Sequence, residues 1–154
     1  MKGFSYSSNG YYFVTICTQE RNEWFGDAIN GKMVLNRYGE TVKKQWLWLE
    51  KQFKYVYLDE WIIMPDHFHG IIMINDLKSV GTGRDLSLQM KHKIKSLSEL
   101  MGVFKTTSSK LIHKTGLNGF HWQRSFYDHI IRNEIELNEI RQYIRSNPSN
   151  YDND

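Results

Sequence analysis

Two runs of β-favouring residues, 54–63 and 67–74, lie close together in this sequence and constrain the fold more than any other feature. Both runs are rich in aromatic and β-branched side chains, which fit the pleated backbone of a strand. Only Met64, Pro65 and Asp66 separate the runs, and Pro and Asp commonly form turns. We therefore predict an antiparallel β-hairpin over these two segments.

Strand-like and helix-like patterns alternate along the rest of the chain. The predicted elements are, in order, a strand at 11–18, a helix from Leu35 to Phe53 that starts after Asn36, the hairpin, a helix at about 97–114, a short strand within 120–127, and a helix that begins after Asn133. The last helix is predicted to stop at Asn147 and Pro148, because Pro disfavours a continuing helix. Gly26 and Gly31 break the stretch before the first helix, and no regular element is predicted there.

This order of elements predicts an α+β sandwich, in which helices pack on a mainly antiparallel sheet. A length of 154 residues fits a single domain spanning residues 1–154. Residues 77–96 mix Gly, Ser, Lys and Arg without a clear period, which predicts a long flexible basic connection. Residues 149–154 are predicted to form a terminal tail.

Composition excludes several classes of protein. With 40% hydrophobic residues and only 2 Pro, the chain is not disordered or collagen-like. No apolar run approaches the roughly 20 residues that cross a bilayer, and the first ten residues lack an apolar secretion segment. The single cysteine, Cys17, fits a reducing compartment and is predicted to be a buried strand residue. These features together predict a cytoplasmic protein.

Charge is distributed unevenly along the chain, although the formal net charge is only +3. Lys and Arg against Asp and Glu number 8 to 9 in residues 1–77, 9 to 2 in residues 78–124 and 3 to 6 in residues 125–154, which gives net charges of −1, +7 and −3. The basic middle segment can attract a polyanion by neutralising phosphates. A solvated surface loop explains the same charges equally well.

The segment Pro65-Asp66-His67-Phe68-His69-Gly70 opens the second strand of the predicted hairpin. Alternation along a strand places His67 and His69 on one face and Phe68 on the other. Two neighbouring imidazoles can hold a metal ion if a third ligand comes from elsewhere, but histidines also occupy such positions for packing. Asp66 and His129 are candidates to orient an imidazole, and Asp66 is equally expected as a turn residue.

Tyr143 and Asn147 lie four residues apart on the last predicted helix, so their side chains share one helical face. An asparagine oxygen binds hard cations, and a tyrosine hydroxyl can attack phosphorus when a metal polarises the phosphate. Ordinary packing beside Ile140 and Ile144 also explains Tyr143, and periodicity alone favours that explanation.

Four segments of the chain, taken together, are specific in their order and spacing. They are Tyr12-Phe13-Val14-Thr15, Trp61 to Gly70, Trp122 to Arg132, and Tyr143 to Pro148. In these segments the sequence resembles the single-tyrosine, His-hydrophobic-His transposases, in the branch associated with repetitive extragenic palindromes (REP). In this resemblance the metal-binding histidines fall on His67 and His69, the third ligand on Asn147 and the nucleophile on Tyr143.

The resemblance implies a ferredoxin-like domain that works as a homodimer on hairpins in single-stranded DNA, with Mg²⁺ or Mn²⁺ as cofactor. It implies that Tyr143 attacks the scissile phosphate and leaves a 5′-phosphotyrosine and a free 3′-OH, so that rejoining needs no ATP. The basic segment would then supply contacts to the DNA backbone. Lys105, Lys110 and Arg124 are the predicted DNA-binding residues.

Two other functions stay open at this point. The chain could be an inactive relative that binds DNA hairpins without cutting them, or a metal-dependent phosphohydrolase of small nucleotides with Tyr143 in its core. Tyr127 is predicted to be structural or to contact DNA, because no local rule brings it to the histidine pair. Tyr151 is predicted to lie in a fraying terminus after Pro148, which suits a nucleophile poorly.

Overall fold

The computed structural model of this protein describes residues 9–75 and 94–152. Four strands form one sheet, two shorter strands form a separate hairpin, and three α-helices accompany them in this part of the chain. The elements are β1 (Asn9–Cys17), a 3-10 turn (Gln19–Arg21), β2 (Gly26–Ile29), β3 (Lys32–Leu35), α1 (Arg37–Gln52), β4 (Val56–Ile63), β5 (His67–Asn75), α2 (Leu97–Lys114), β6 (Tyr127–Ile131) and α3 (Glu134–Asp152).

The main sheet has the strand order β4-β5-β1-β6, and each neighbouring pair is antiparallel. The helix α1 connects β1 to β4, and α2 connects β5 to β6. This β-α-β-β-α-β succession is the ferredoxin-like arrangement. The predicted α+β class and antiparallel sheet are therefore confirmed, and α3 is an addition at the end of the motif.

The face of the sheet beneath α1 and α2 carries the main hydrophobic core. Trp46 of α1 packs on Phe68 of β5 with ring centroids 4.5 Å apart, and on Phe104 of α2 at 5.2 Å. All three side chains are fully buried. Gly70 allows this close approach, because a Cβ atom there would lie 2.8 Å from both the Trp46 indole and the Phe68 ring.

The opposite face of the sheet is covered by α3 and has a smaller apolar cluster, formed by Ile71, Ile131, Leu137 and Ile144. Ion pairs also attach this helix to β4. The Arg141 guanidinium donates to both carboxylate oxygens of Asp59 at 2.7 Å, and Arg145 donates to Glu60 at 3.2 Å. The hydrogen bonds from Arg141 hold the pKa of Asp59 below its usual value.

The predicted starts of α1 after Asn36 and of α3 after Asn133 are confirmed by their caps. The Asn36 side chain accepts hydrogen bonds from the first turn of α1, and the Asn133 side chain accepts one from the Glu136 N–H in α3. In α2, Ser96 and Glu99 form a reciprocal capping box. Such caps satisfy backbone N–H groups that have no partner within the helix, so the sequence signal is local and readable.

The structure corrects the prediction of a strand within 120–127, because the strand lies at Tyr127–Ile131 and pairs with β1. The aromatic side chains of Phe120 and Trp122 are instead buried in the core beside α2. The Trp122 indole donates to the Ser108 hydroxyl at 3.0 Å. Their hydrophobicity therefore reflected burial of an irregular segment.

The predicted end of the last helix at Asn147 and Pro148 is also wrong, because α3 continues through Pro148 to Asp152 and includes the first residues of the predicted tail. Pro148 is buried, and Tyr151 beyond it hydrogen-bonds to Glu23, so tertiary contacts support the extra turn. The predicted flexible connection, 77–96, falls outside the described residues except for its last three.

A second hairpin was not predicted from the sequence. The strands β2 and β3 are joined by Asn30 and Gly31, both with positive φ angles of 52° and 76°. Asn-Gly is a favoured pair for a two-residue hairpin turn, because both positions need this backbone conformation. That signal was present in the sequence and was missed. In the part of the chain that the structure describes, no helix is long and apolar enough to cross a membrane.

Candidate active site

An open pocket of about 370 Å³ lies where β1 and β5 meet α3. Its lining residues are Thr15, Cys17, Arg21, His67, His69, Tyr143, Asn147, Asn150 and Tyr151. The four residues predicted to carry the chemistry, His67, His69, Tyr143 and Asn147, are all among them. Cys17, predicted to be buried, is instead half-buried at the wall, where burial raises the pKa of its thiol.

The imidazole of His67 is oriented by the residue that precedes it. Its Nδ1 atom lies 2.7 Å from the Asp66 carboxylate, whose second oxygen accepts from Arg21 Nε at 3.0 Å. Burial raises the pKa of Asp66, but the hydrogen bonds from His67 and Arg21 outweigh it and hold that pKa below its usual value. Because an ionised carboxylate only accepts hydrogen bonds, Nδ1 of His67 carries a proton, and Nε2 is the ring nitrogen that remains for a metal.

The imidazole of His69 is fixed by two residues of β1. Its Nδ1 atom is hydrogen-bonded to the Thr15 hydroxyl at 2.8 Å, and its ring stacks on Phe13 with centroids 5.4 Å apart. Burial, followed by the charges of His67 and Arg21, lowers the pKa of His69 to about 3. The ring is therefore neutral near pH 7, which is the state that binds a metal.

The residues of the pocket fit a divalent metal. His67 and His69 have ring centroids 4.6 Å apart, and in both rings Nδ1 is occupied by an orienting partner while Nε2 has none among the described residues. Asn147 is only 8% exposed and forms no side-chain hydrogen bond to any residue that the structure describes. Over residues 9–75 and 94–152, no cluster of three His, Cys, Asp or Glu side chains offers a different set of ligands. Two imidazole nitrogens and the Asn147 amide oxygen can therefore serve as donors to such an ion.

Tyr143 and Tyr151 both reach the pocket from α3, but their hydroxyl groups differ. The Tyr143 ring lies 5.4 Å from the His69 ring and is 48% exposed, and its hydroxyl has no hydrogen-bond partner among the described residues. The Tyr151 hydroxyl donates to Glu23 at 2.5 Å. Burial and this hydrogen bond raise the pKa of Tyr151, so its phenolate is harder to form. The fraying predicted for Tyr151 is wrong, yet its environment still suits a nucleophile less well.

The predicted DNA-binding residues Lys105, Lys110 and Arg124 line a second, shallower groove beside α2, together with His113 and His121. Lys105 donates to the backbone carbonyls of Gln123 and Arg124 at 2.7 and 2.8 Å, and burial lowers the pKa of its ammonium group. Lys105 therefore also holds the segment after α2 in place. DNA binding by these three residues stays a prediction.

Of the two candidates to orient an imidazole, Asp66 lies against His67, whereas His129 does not join the pocket. The His129 ring pairs with Glu136 at 2.7 Å, near the start of α3. Tyr127 is 59% exposed and its ring lies 6.3 Å from that of Phe13, so it lies at the margin of the site.

Thr15 and Arg21 are pocket residues that sequence reasoning did not select. For Thr15 the sequence contained a signal. Strand alternation places Thr15 on the same face of β1 as Phe13, whose ring stacks on His69. For Arg21 no local pattern indicates the pocket, since it lies on an irregular turn.

Comparison with known proteins identifies a relative of this chain. The chain is 35% identical to an uncharacterized protein of Haemophilus influenzae over 161 aligned positions, which cover 100% of this chain and 88% of the relative. The chain therefore belongs to the same family as that protein. No protein-family model matches the chain.

Two solved structures share the fold. A REP-associated tyrosine transposase bound to a REP hairpin superposes with a TM-score of 0.61 at 19% identity, covering 92% of this chain and 68% of its own. A crystal structure described as that of a candidate transposase from Deinococcus radiodurans gives 0.55 at 14% identity, covering 94% and 93%. The chain thus has the fold of the single-tyrosine transposases, as its sequence resemblance predicted.

Proposed function

We propose that this protein is a metal-dependent DNA transposase that cleaves and rejoins single-stranded DNA at hairpin-flanked sites. The observation that carries the proposal is the position of Tyr143, whose ring lies 5.4 Å from His69 in a pocket shared with His67 and Asn147. The transposase fold supports it, and the hairpin bound to one structural neighbour supports this class of substrate.

The chemical step is an exchange of phosphate esters. The Tyr143 hydroxyl oxygen forms a bond to the scissile phosphorus and loses its proton to solvent, while the bond from phosphorus to the 3′ oxygen breaks and that oxygen takes up a proton. One ester bond is lost and one is gained, so a 3′-OH can reverse the step without ATP. A Mg²⁺ or Mn²⁺ ion held by His67, His69 and Asn147 would supply polarisation of the phosphate.

The groove beside α2 would contact the DNA backbone through Lys110 and Arg124, with Lys105 contributing from the groove wall. Such contacts neutralise phosphates and release counterions, so binding should weaken as salt rises. The homodimer implied by the sequence resemblance stays a prediction.

The test uses a labelled single-stranded oligonucleotide that contains a hairpin from the DNA flanking the gene. The protein is incubated with it and Mn²⁺, Mg²⁺ or EDTA, and a denaturing gel is examined for a covalent protein–DNA band. We expect a band that needs the metal ion and disappears in Tyr143→Phe and in His67→Ala.

Tyr151→Phe is the matched control, since it removes a hydroxyl from the same helix and the same pocket. It should keep the band, because the Tyr151 hydroxyl is bound to Glu23. An adduct that survives in Tyr143→Phe and is lost in Tyr151→Phe would overturn the assignment. Tight, salt-sensitive binding without any adduct would indicate a hairpin-binding protein, and release of nucleotide without an adduct would indicate a phosphohydrolase.

A further inference from the structure

Arg21 is held at the pocket by an unusual stretch of backbone. Glu20 and Arg21 have φ angles of 58° and 55°, a left-handed backbone conformation that residues other than glycine rarely adopt. Neighbouring segments hold this turn in place, since the Gln19 N–H donates to the His121 carbonyl at 2.8 Å and the Thr18 N–H donates to the Asp66 carbonyl at 3.0 Å. Backbone strain that its surroundings maintain is concentrated at functional sites.

The Arg21 guanidinium has hydrogen-bonding capacity left over. Its Nε atom donates to Asp66 at 3.0 Å, and its side chain remains 52% exposed. The 3.4 Å approach of Nη2 to His67 Nδ1 is not a hydrogen bond in the state described above, because both atoms then carry hydrogens. The N–H groups on the two Nη atoms are therefore free to bind another acceptor, and Asp66 fixes the plane in which they lie.

The pocket otherwise has little positive charge of its own. Within the described residues, Arg21 is the single Lys or Arg that lines it. Both imidazoles use Nδ1 for fixed partners, and the amide side chains of Asn147 and Asn150 carry no formal charge. Glu23 and Asp66 add negative charge nearby. A phosphodiester that enters this pocket would meet one fixed organic cation.

We propose that Arg21 binds the non-bridging oxygens of the phosphate that Tyr143 attacks, and so is a catalytic residue of the site. This inference rests on the function proposed above and adds a residue to it. A guanidinium fork matches two phosphate oxygens, and its charge stabilises the negative charge that develops during attack. The rigid turn and the Asp66 pair would hold the fork in place before DNA arrives.

The test removes the negative charge from one phosphate at a time. Hairpin oligonucleotides are made with a single neutral methylphosphonate linkage, moved step by step along the single-stranded arm, and their affinities are measured in the Tyr143→Phe background, with and without Arg21→Gln. In Tyr143→Phe, one position should lose about tenfold in affinity, the usual size of a hydrogen bond between charged groups. With Arg21→Gln added, the same linkage should cost less than about twofold, because the coupled partner is gone.

Three further variants separate this role from a structural one. Arg21→Lys keeps the charge without the fork and should retain part of the coupling. Arg37→Gln removes an exposed arginine at the start of α1 and should leave every affinity unchanged. Thermal denaturation of Arg21→Gln checks that the fold is intact, and a variant that does not fold is replaced by Arg21→Lys in the same scan.

The proposal is overturned if no linkage shows a loss that depends on Arg21, or if the dependent linkage is not the one that the unmodified protein cleaves. An adduct that persists in Tyr143→Phe would refute the nucleophile while the affinities still report on Arg21. If the adduct is lost in Tyr143→Phe but no linkage shows a loss of affinity that depends on Arg21, the role of Arg21 is refuted and Tyr143 remains the nucleophile.

Discussion

The face of the sheet beneath α1 and α2 is filled with large aromatic and aliphatic side chains, whereas the face beneath α3 has four buried aliphatic residues, two ion pairs and an open pocket. The strand β5 contributes side chains to both faces, because Phe68 points into the main core while His67 and His69 point to the pocket. The core face therefore holds the backbone of β5 in place, so that polar side chains on its other face are oriented before any ligand binds.

Phe68→Ala tests this division of roles with the largest expected effect. Removal of a fully buried ring that contacts Trp46 and Phe104 should lower the free energy of unfolding by about 3–5 kcal/mol, measured by urea denaturation. The neighbouring change His69→Gln should cost only about 2 kcal/mol, because it removes one hydrogen bond, to Thr15, and the stacking of the ring on Phe13. It should nevertheless abolish metal-dependent cleavage. Equal destabilisation by the two changes would contradict a division between faces.

A smaller effect is expected from Gly70→Ala, which adds one methyl group on the core face of β5. The new Cβ would lie 2.8 Å from Trp46 and Phe68, so the core must shift, at a cost of about 1–3 kcal/mol. The control Gly102→Ala adds the same atom to α2 with no neighbour within 4 Å, and should stabilise the protein by about 0.5–1 kcal/mol through helix propensity. Thermal unfolding that moves in the same direction for both variants would refute the close packing at Gly70.

The smallest expected change in stability is on the α3 face. Arg141→Gln should cost no more than about 1 kcal/mol, because the pair with Asp59 is partly exposed to solvent. The folded pKa of Asp59 lies below its unfolded value, so the pair stabilises the fold above about pH 4 and this stabilisation is lost as the pH falls through the folded pKa.

The stability difference between Arg141→Gln and the original protein should therefore shrink in acid, which urea titrations at pH 7 and pH 3 would measure. A difference that persists at pH 3 would contradict the ion pair as its source. Arg141 and Arg145 lie two residues before and after Tyr143 on α3 and attach the helix to β4. Arg141→Gln should therefore also lower the yield of the covalent adduct.

The elements that the sequence predicted well are those with local causes. Asn36 and Asn133 cap helices by bonding to backbone within their own first turns, and the central hairpin follows from two β-rich runs and a short turn. The position of β6 and the extension of α3 beyond Pro148 depend on contacts with distant segments, so no pattern in a short window could give them.

The site was predicted in the same uneven way. Strand alternation pairs His67 with His69, and helical spacing pairs Tyr143 with Asn147, but neither rule says that α3 covers the histidine face of the sheet. Resemblance to a known family supplied that link, and the structure brings the two pairs to one pocket. Neither a local pattern nor the family resemblance indicated Arg21. Its position depends on two residues with left-handed backbone conformations, which no sequence pattern here predicts.

The order of the elements along the chain has a consequence for how a cell would make this protein. Both imidazoles lie on a strand complete at Asn75, whereas Tyr143 and Asn147 lie on the final described helix, so a ribosome would produce the hydroxyl and the amide last. A chain that stopped after β6 would contain the two histidines and the groove beside α2 but neither Tyr143 nor Asn147. It would also leave Ile71 and Ile131 without the cover that Leu137 and Ile144 supply.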